Sequence, residues 1–371
     1  MKKVRYAVVG LGSITQGALV PGFQDAGNSE LTALVTSDTE KREELAKRYG
    51  IEPQFAYSYE QYDECLKSGA VDAVYIGLPN HMHCDYTIRA AKAGIHVLCE
   101  KPMAVDEREC ERMMAACEES NTKLMIGYRL HFEEANLEAV RIASSGQLGD
   151  LRIFFSAFTQ QVIPGNVRLE EPEDRGGGSV YDMGVYCINA ARYLFRDEPI
   201  EVAAVSASSA DTRFQKSAEM TTATLRFPHD RLASFTTSFG AAALSEFTLL
   251  GTRGWIRLSP AYDYQKPLRY ELMVDGQKPQ ELEFTRRDQF GAELIYFSNC
   301  VLEDRQPEPS GLEGLADIRV IRAILKSARA QQPVVLAPFE KKDRPTKEQA
   351  IKKPVVKAPP LVKAAGPSAK K

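Results

Sequence analysis

The chain has 371 residues, of which 44% are hydrophobic and 26% charged, and its net charge is −3. That balance is ordinary for a globular protein of about two domains. The chain holds no long apolar run of membrane-spanning length, which excludes a transmembrane helix, and its near-neutral charge excludes a strongly basic nucleic-acid binder as a whole-chain description.

The first third alternates short apolar runs with helical patterns. Residues 4–9, 31–35, 73–76, 95–99 and 124–126 read as buried strands, and 13–26, 40–49, 59–68, 83–93 and 107–120 as helices. Continuous apolar strands between helices predict a parallel sheet covered on both faces. This is a Rossmann, doubly wound nucleotide-binding pattern, assigned to residues 1–125.

The pattern then changes. A helix over 133–144 stops at Gly146 and Gly149, and a strand over 151–159 leads into a polar stretch, 160–175. Gly176-Gly177-Gly178 opens a helix over 179–195. Strand-like runs follow at 201–208, 220–227, 232–239, 246–250, 255–258, 270–274 and 281–284, then helices over 289–303 and 311–330. Strands in succession predict a C-terminal α+β domain with a large, mainly antiparallel open sheet, assigned to residues 126–335.

Residues 336–371 read as a disordered basic tail rich in Lys, Pro and Ala. From Lys341 to Lys371 the charge is +8, which leaves −11 for the rest. Such an arm has two readings, a solvated extension or a weak contact with nucleic acid or another polyanion, and the first is favoured. The seven cysteines are scattered and form no C-x-x-C pair, so neither a disulfide framework nor a zinc ribbon is expected. With no secretion signal at the N-terminus, a reducing cytoplasm is the expected location.

Gly10-Leu11-Gly12 follows the first strand and precedes a helix. Glycines there permit a tight turn and close approach of a pyrophosphate to the helix start, so Gly10, Gly12, Ser13 and Ile14 are assigned to cofactor binding. The usual third glycine is replaced by Thr15. At the end of the second strand an acid would bind the ribose hydroxyls of NAD and repel a 2′-phosphate. Here the segment is Thr36-Ser37-Asp38 with Lys41 beyond. Two hydroxyls and an ammonium suit NADP, against which Asp38 stands as the one residue favouring NAD.

Two more segments fall at strand ends, where open α/β sheets bind ligands. One contains Leu78, Pro79, Asn80 and His83, and the other is Glu100-Lys101-Pro102. His81, His83 and Cys84 lie close together but lack the further ligands of a zinc site, so no metal is expected.

These motifs, with Gly127-Tyr128-Arg129 and Gly176 through Gly184, resemble the glucose–fructose oxidoreductase, inositol dehydrogenase and rhizopine-catabolism family over residues 1–335. Most of that family continues Asp-x-Gly-x-His. This chain has Asp182-Met183-Gly184-Val185-Tyr186, which is similar to the glucose–fructose oxidoreductase and NADP-dependent xylose or dihydrodiol dehydrogenase branch. The resemblance implies NADP rather than NAD, with Thr36 and Lys41 on the 2′-phosphate and Arg129 and Arg168 as further cofactor contacts. It also implies a cyclic sugar or diol as substrate, contacted by Lys101, Tyr128, Asp182 and Tyr186, and a homodimer or homotetramer. The N-terminal arm that helps one bacterial member retain NADP is absent, which favours release of the cofactor at each turnover.

Asp182 and Tyr186 are four residues apart, a spacing that puts both on one helix face, with Asn189 a turn later. Hydride transfer at a carbinol needs a general acid–base. A phenol ordinarily titrates near 10, and an adjacent ammonium favours its ionised form. The catalytic set is therefore Tyr186 with Lys101, oriented by Asp182. The alternatives are a dihydrodiol dehydrogenase, a two-sugar oxidoreductase, and a non-catalytic NADP-binding sensor. The presence of both Lys101 and Tyr186 speaks against the last.

Overall fold

The computed structural model describes residues 2–364 and Gly366. They divide into two compact units. The first comprises residues 2–129, 288–314, 353–364 and Gly366, and the second residues 130–287 and 315–352.

The first unit is built on six parallel strands, β1 (Val4–Val9), β2 (Ser29–Val35), β3 (Ala56–Tyr57), β4 (Ala73–Ile76), β5 (His96–Glu100) and β6 (Leu124–Gly127). Their order is β3-β2-β1-β4-β5-β6. Every residue of β4 is buried, as the unbroken apolar run predicts. The chain winds one way from β1 to β3 and the other way from β4 to β6. The strand order therefore reverses between β1 and β4, which is where such sheets bind ligands.

The helix Gln289–Leu302 belongs to this unit, although the sequence pattern assigns it to the second domain. Asp288 caps it, accepting from the backbone N–H groups of Phe290 and Gly291 at 3.0 Å each. The Tyr6 hydroxyl lies 2.8 Å from Ser298 Oγ, and Ser29 Oγ lies 2.7 Å from the same atom. The buried side chains of Leu294 and Phe297 explain the assignment: this helix completes the core over β1 and β2. Periodicity along the chain carries no signal for such a return.

The second unit carries nine strands: β7 (Leu151–Thr159), β8 (Glu201–Ala207), β9 (Met220–Phe227), β10 (Arg231–Ser238), β11 (Leu244–Gly251), β12 (Gly254–Leu258), β13 (Arg269–Val274), β14 (Gln280–Glu283) and β15 (Val334–Val335). They run in the order β14-β13-β12-β11-β7-β10-β9-β8-β15. The β10–β7 pair is parallel, and the other pairs among the described residues are antiparallel. β9 alternates exposed and buried residues along its whole length, the signature of a sheet with one covered face. The helices Glu134–Ser144 and Val185–Phe195 lie on that covered side. Phe155, Val205 and Leu232 remain exposed.

The sequence places residues 336–371 outside any core. Their described part is instead held along its length. Arg344 is buried and donates to Glu198 Oε1 at 2.7 Å, within a network where Arg192 pairs with Glu198 at 2.7 Å and with Asp317 at 2.6 Å. Lys347 pairs with Glu138 at 2.7 Å and Lys352 with Glu134 at 2.5 Å. Acidic partners spread over distant parts of the sequence hold a segment whose own pattern has no hydrophobic period. The remainder of the expected tail, Ala365 and residues 367–371, lies outside the described residues. Among the described residues no helix is long and apolar enough to cross a membrane.

Candidate active site

Gly10 ends β1 with φ +90°, a conformation that side chains other than glycine rarely adopt. A Cβ there would lie 2.5 Å from the Gly77 carbonyl oxygen, so the turns after β1 and β4 touch backbone to backbone. At Gly12, by contrast, an added Cβ would meet nothing within 4 Å. Open space beside a glycine turn at the point of strand reversal fits the pyrophosphate of a dinucleotide. Ser13 and Ile14 are half-buried at the start of the following helix. That helix is not the regular one expected over 13–26: it is a π-turn, Thr15–Leu19, followed by the short α-helix Val20–Gly22. Such turns recur at functional sites.

At the end of β2, Thr36 is buried and Ser37 exposed. Asp38 N-caps the helix Thr39–Tyr49, its Oδ1 accepting from the Lys41 backbone N–H at 3.0 Å. That hydrogen bond, with the nearby Lys363 and Lys41 charges, holds the Asp38 carboxyl below its ordinary range. The Tyr59 phenol, hydrogen-bonded to Thr36, is pushed up to about 12 by burial.

At the ends of β4 and β5, Leu78 and Asn80 are buried and Pro79 is half-buried. His83 is fully buried. Its Nε2 lies 2.9 Å from the Leu78 carbonyl oxygen, and its Nδ1 lies 3.1 Å and 3.3 Å from those of Pro102 and Met103. The imidazole thus bridges the two strand-end loops. Glu100 accepts from the Tyr75 hydroxyl at 2.6 Å and from the Lys101 backbone N–H at 3.1 Å. Lys101 is 7% exposed and precedes a cis proline.

Tyr128 and Arg129 are buried close to this corner. Arg129 donates to Gln289 Oε1 and lies 6.0 Å from the Phe290 ring centroid. From the same helix comes Glu293, fully buried, with neither carboxyl oxygen hydrogen-bonded among the described residues. Burial pushes its pKa well above the usual carboxyl range, and the Glu100 charge adds to the effect.

The second unit holds the other predicted residues. The glycine run folds tightly against the preceding loop: a Cβ on Gly177 would lie 1.8 Å from the Glu171 carbonyl oxygen, and the Gly178 N–H donates to the Arg168 carbonyl at 3.0 Å. Val162, Leu169, Met183, Phe214 and Phe239 form a buried cluster under that loop. Arg168 Nε stands 3.7 Å from Asp182 Oδ1. Asp182 lies in a π-turn, Val180–Gly184, and Tyr186 in the α-helix Val185–Phe195. The extra residue in the π-turn alters the angular phase on which the four-residue spacing relies. Tyr186 is half-buried, edge-on to Phe158 with centroids 5.5 Å apart and 5.8 Å from the Tyr262 ring. Asn189 is buried, bonded to His131 at 2.8 Å and to Asp317 at 3.0 Å, and so belongs to the Arg192 network.

Within the first unit, then, the structure gathers the glycine turn, the β2 end, the β4 loop and Lys101. Within the second it gathers Arg168, Asp182 and Tyr186. Sequence reasoning missed Gln16, Tyr75 and Glu293. The first two sit inside periodic runs that read as core, and the third comes from a helix assigned to the other domain. Among the described residues, no group of three or more His, Cys, Asp or Glu is placed to hold a metal ion.

Two family models match the chain. Residues 4–128 match an oxidoreductase family described as having an NAD-binding Rossmann fold, and residues 136–257 match the GFO/IDH/MocA C-terminal domain. The chain is 32% identical to a D-xylose 1-dehydrogenase [NADP(+)] of Haloarcula marismortui, over 90% of this chain and 93% of that one. It is 28% identical to a trans-1,2-dihydrobenzene-1,2-diol dehydrogenase of Danio rerio, over 84% of this chain and 91% of that one. A solved aldose-aldose oxidoreductase from Caulobacter crescentus superposes with a TM-score of 0.86 at 36% identity, covering 90% of this chain and all of that one.

Proposed function

The chain belongs to the glucose–fructose oxidoreductase, inositol dehydrogenase and rhizopine-catabolism family of oxidoreductases, and from that premise we propose that it is an NADP-dependent enzyme acting on a carbinol of a cyclic sugar, an aldose such as xylose or glucose. The observation that carries the reading is Lys101. It is a nearly buried ammonium at the carboxyl end of β5, beside a Glu100 that Tyr75 holds in place. Lysine is seldom buried unless its charge is engaged, and this one stands at a strand end where open α/β sheets bind ligands.

The cofactor supplies the hydride acceptor or donor. Gly10 makes the tight turn against Gly77, Gly12 leaves room for its pyrophosphate, and Ser13 and Ile14 present the helix start to it. Thr36, Ser37 and Lys41 take the 2′-phosphate. The choice of NADP over NAD rests on Asp38, whose carboxylate is engaged as a helix cap rather than offered to ribose hydroxyls. Leu78, Pro79 and Asn80 flank the nicotinamide side, and His83 positions their loop against Pro102.

Tyr186 serves as the general acid–base, taking the carbinol proton in oxidation and returning it in reduction. Lys101 stabilises negative charge developing on the substrate oxygen. Asp182, beside Arg168, orients a sugar hydroxyl, and Tyr128 and Arg129 border the site. The exposed Phe155, Val205 and Leu232 of the nine-stranded sheet supply a self-association face for a homodimer or homotetramer. All seven cysteines are free and buried, in keeping with work in the cytoplasm.

The likeness to the aldose-aldose oxidoreductase favours a second reading, in which one bound NADP serves two sugars in turn. One experiment tests both. Absorbance of the reduced nicotinamide is followed after D-xylose or D-glucose is added to the purified protein, first without and then with added NADP. Signal that requires added NADP supports the dehydrogenase, and signal from sugar alone supports the two-sugar enzyme. Silence with both sugars, but turnover of a trans-dihydrodiol, replaces the aldose with a diol. Silence with all of them favours the non-catalytic sensor.

A further inference from the structure

Four consecutive residues near the C-terminus each meet an element that frames the dinucleotide site. The Pro360 carbonyl accepts from Arg48 Nη1 at 2.7 Å. The Leu361 side chain lies 3.6 Å from where a Cβ on Gly17 would stand. Val362 is buried and pairs in both directions with the Gln16 carboxamide: its N–H donates to Gln16 Oε1 at 2.8 Å, and its carbonyl accepts from Gln16 Nε2 at 3.0 Å. Gln16 Nε2 also donates to the carbonyl of Leu11, between the two glycines of the turn, at 2.8 Å. Lys363 Nζ reaches Glu40 Oε2 at 2.5 Å and lies 3.9 Å from Asp38 Oδ1.

The last contact bears on charge. Asp38 and Glu40 follow directly on Thr36 and Ser37, the hydroxyls assigned to the 2′-phosphate. Two carboxylates beside a phosphate dianion oppose its binding unless a cation offsets them. Lys363 joins Lys41 in supplying that cation, and it alone of the two reaches both Glu40 and Asp38 in the ion pairs of the described residues. It is half-exposed, so its own pairings are weak and screened. The anchor is therefore the buried Gln16–Val362 pair, which delivers Lys363 to the spot.

Resting on the NADP reading above, we propose that Pro360–Lys363 is a strap built into the cofactor site, in which Lys363 is a determinant of NADP affinity and the Gln16–Val362 pair slows cofactor release. The sequence around it, read as a free basic arm, thereby acquires a specific ligand: the 2′-phosphate of NADP.

The test compares the full chain with two variants, Lys363→Ala and a chain lacking residues 358–371. NADP and NAD affinities are measured by calorimetry, and NADPH dissociation by displacement in a stopped-flow fluorimeter. Lys363→Ala is expected to weaken NADP about threefold to fivefold, the scale of one screened charge contact, and to leave NAD within about twofold. That selectivity should shrink as salt is raised. The truncated chain is expected to release NADPH about tenfold faster, as loss of a buried hydrogen-bonded pair implies. NADP affinity and dissociation rate unchanged in both variants, while the full chain binds NADP, would overturn the strap alone. Equal weakening of NAD and NADP by Lys363→Ala would overturn the role of its charge. Failure of the full chain to bind NADP at all would overturn the cofactor reading, and the strap with it.

Discussion

The Tyr75 hydroxyl stands 2.6 Å from Glu100 Oε1, joining the middle of β4 to the residue before Lys101. Tyr75 is fully buried, and burial and the Glu100 carboxylate hold its phenol well above the ordinary range, so it remains a proton donor. Glu100 Oε2 in turn receives the Lys101 backbone N–H. The carboxyl is thus fixed at both oxygens, and the lysine's backbone is fixed with it. Tyr75→Phe removes one of these bonds without changing the ring. The expected result is a loss of about 1–3 kcal/mol in stability, the range for a buried group left without its partner. kcat should fall while the NADP dissociation constant stays within about twofold. An unchanged kcat would mean that Lys101 is placed without help from Glu100.

Tyr186→Phe tests the acid–base assignment. The ring contacts with Phe158 and Tyr262 survive the change, so the fold is preserved. Turnover should drop about 10²–10⁴-fold, the usual contribution of a general acid–base. NADP binding, measured by fluorescence, should be nearly intact. Lys101→Met should produce a similar loss. Near-normal turnover by either variant would remove that residue from the mechanism.

Thr36→Asp tests the cofactor preference. The new carboxylate would stand beside the 2′-phosphate and Asp38, and the preference kcat/KM for NADP over NAD should fall by at least about tenfold, one charge-repulsion step of roughly 1.4 kcal/mol. Because Thr36 is buried, a thermal unfolding measurement accompanies the assay. An unchanged preference in a folded variant would place the 2′-phosphate elsewhere.

How much of this was readable from the sequence depends on where each signal resides. β1 and β4 were legible because an unbroken apolar run between helices has one physical explanation, a strand buried on both faces. β3 and β15 have two residues each, too few to show a period. The π-turns at Thr15–Leu19 and Val180–Gly184 keep the apolar pattern of a helix while changing its count, so the spacing of Asp182 and Tyr186 was legible but their turn geometry was not. Lys101 was singled out because Glu-Lys-Pro is a local motif. Glu293 was not, since its environment of Glu100, Lys101 and Arg129 is assembled only when a helix from far along the chain returns to the first unit. Arg344 and Val362 were hidden for the same reason: composition describes a segment's own residues, not the partners waiting for it.

Arg344 makes that last point testable. Its side chain is 3% exposed and shares Glu198 with Arg192. Arg344→Ala leaves Glu198 with its Arg192 pair but removes a buried charge-assisted bond. The expected cost is about 2 kcal/mol, read as a lower urea midpoint at an unchanged slope. A midpoint unmoved by the change would mean that the segment rests on the second unit without stabilising it.

Glu293 gives the pH dependence. Its carboxyl is buried, with the Glu100 and Asp288 carboxylates raising its pKa and the Arg129 and Lys101 cations opposing them. The Tyr75 phenol also faces it. The net direction is upward from an unfolded value of 4.5. Over the interval above that value, the folded chain still holds this proton and the unfolded chain has lost it. Stability therefore falls as pH rises from about 4.5 towards the native pKa, by up to about 1.4 kcal/mol per pH unit. Glu293→Gln keeps the shape and removes the proton, and so removes this slope. Relative to the parent, the variant should gain stability as pH rises above about 4.5 towards the native pKa, and the gain should vanish near pH 4.5. Urea unfolding at three pH values measures it. A difference that does not change with pH would mean that Glu293 is ionised in the folded protein. Its place beside Lys101 would then be that of a counter-charge rather than a neutral neighbour.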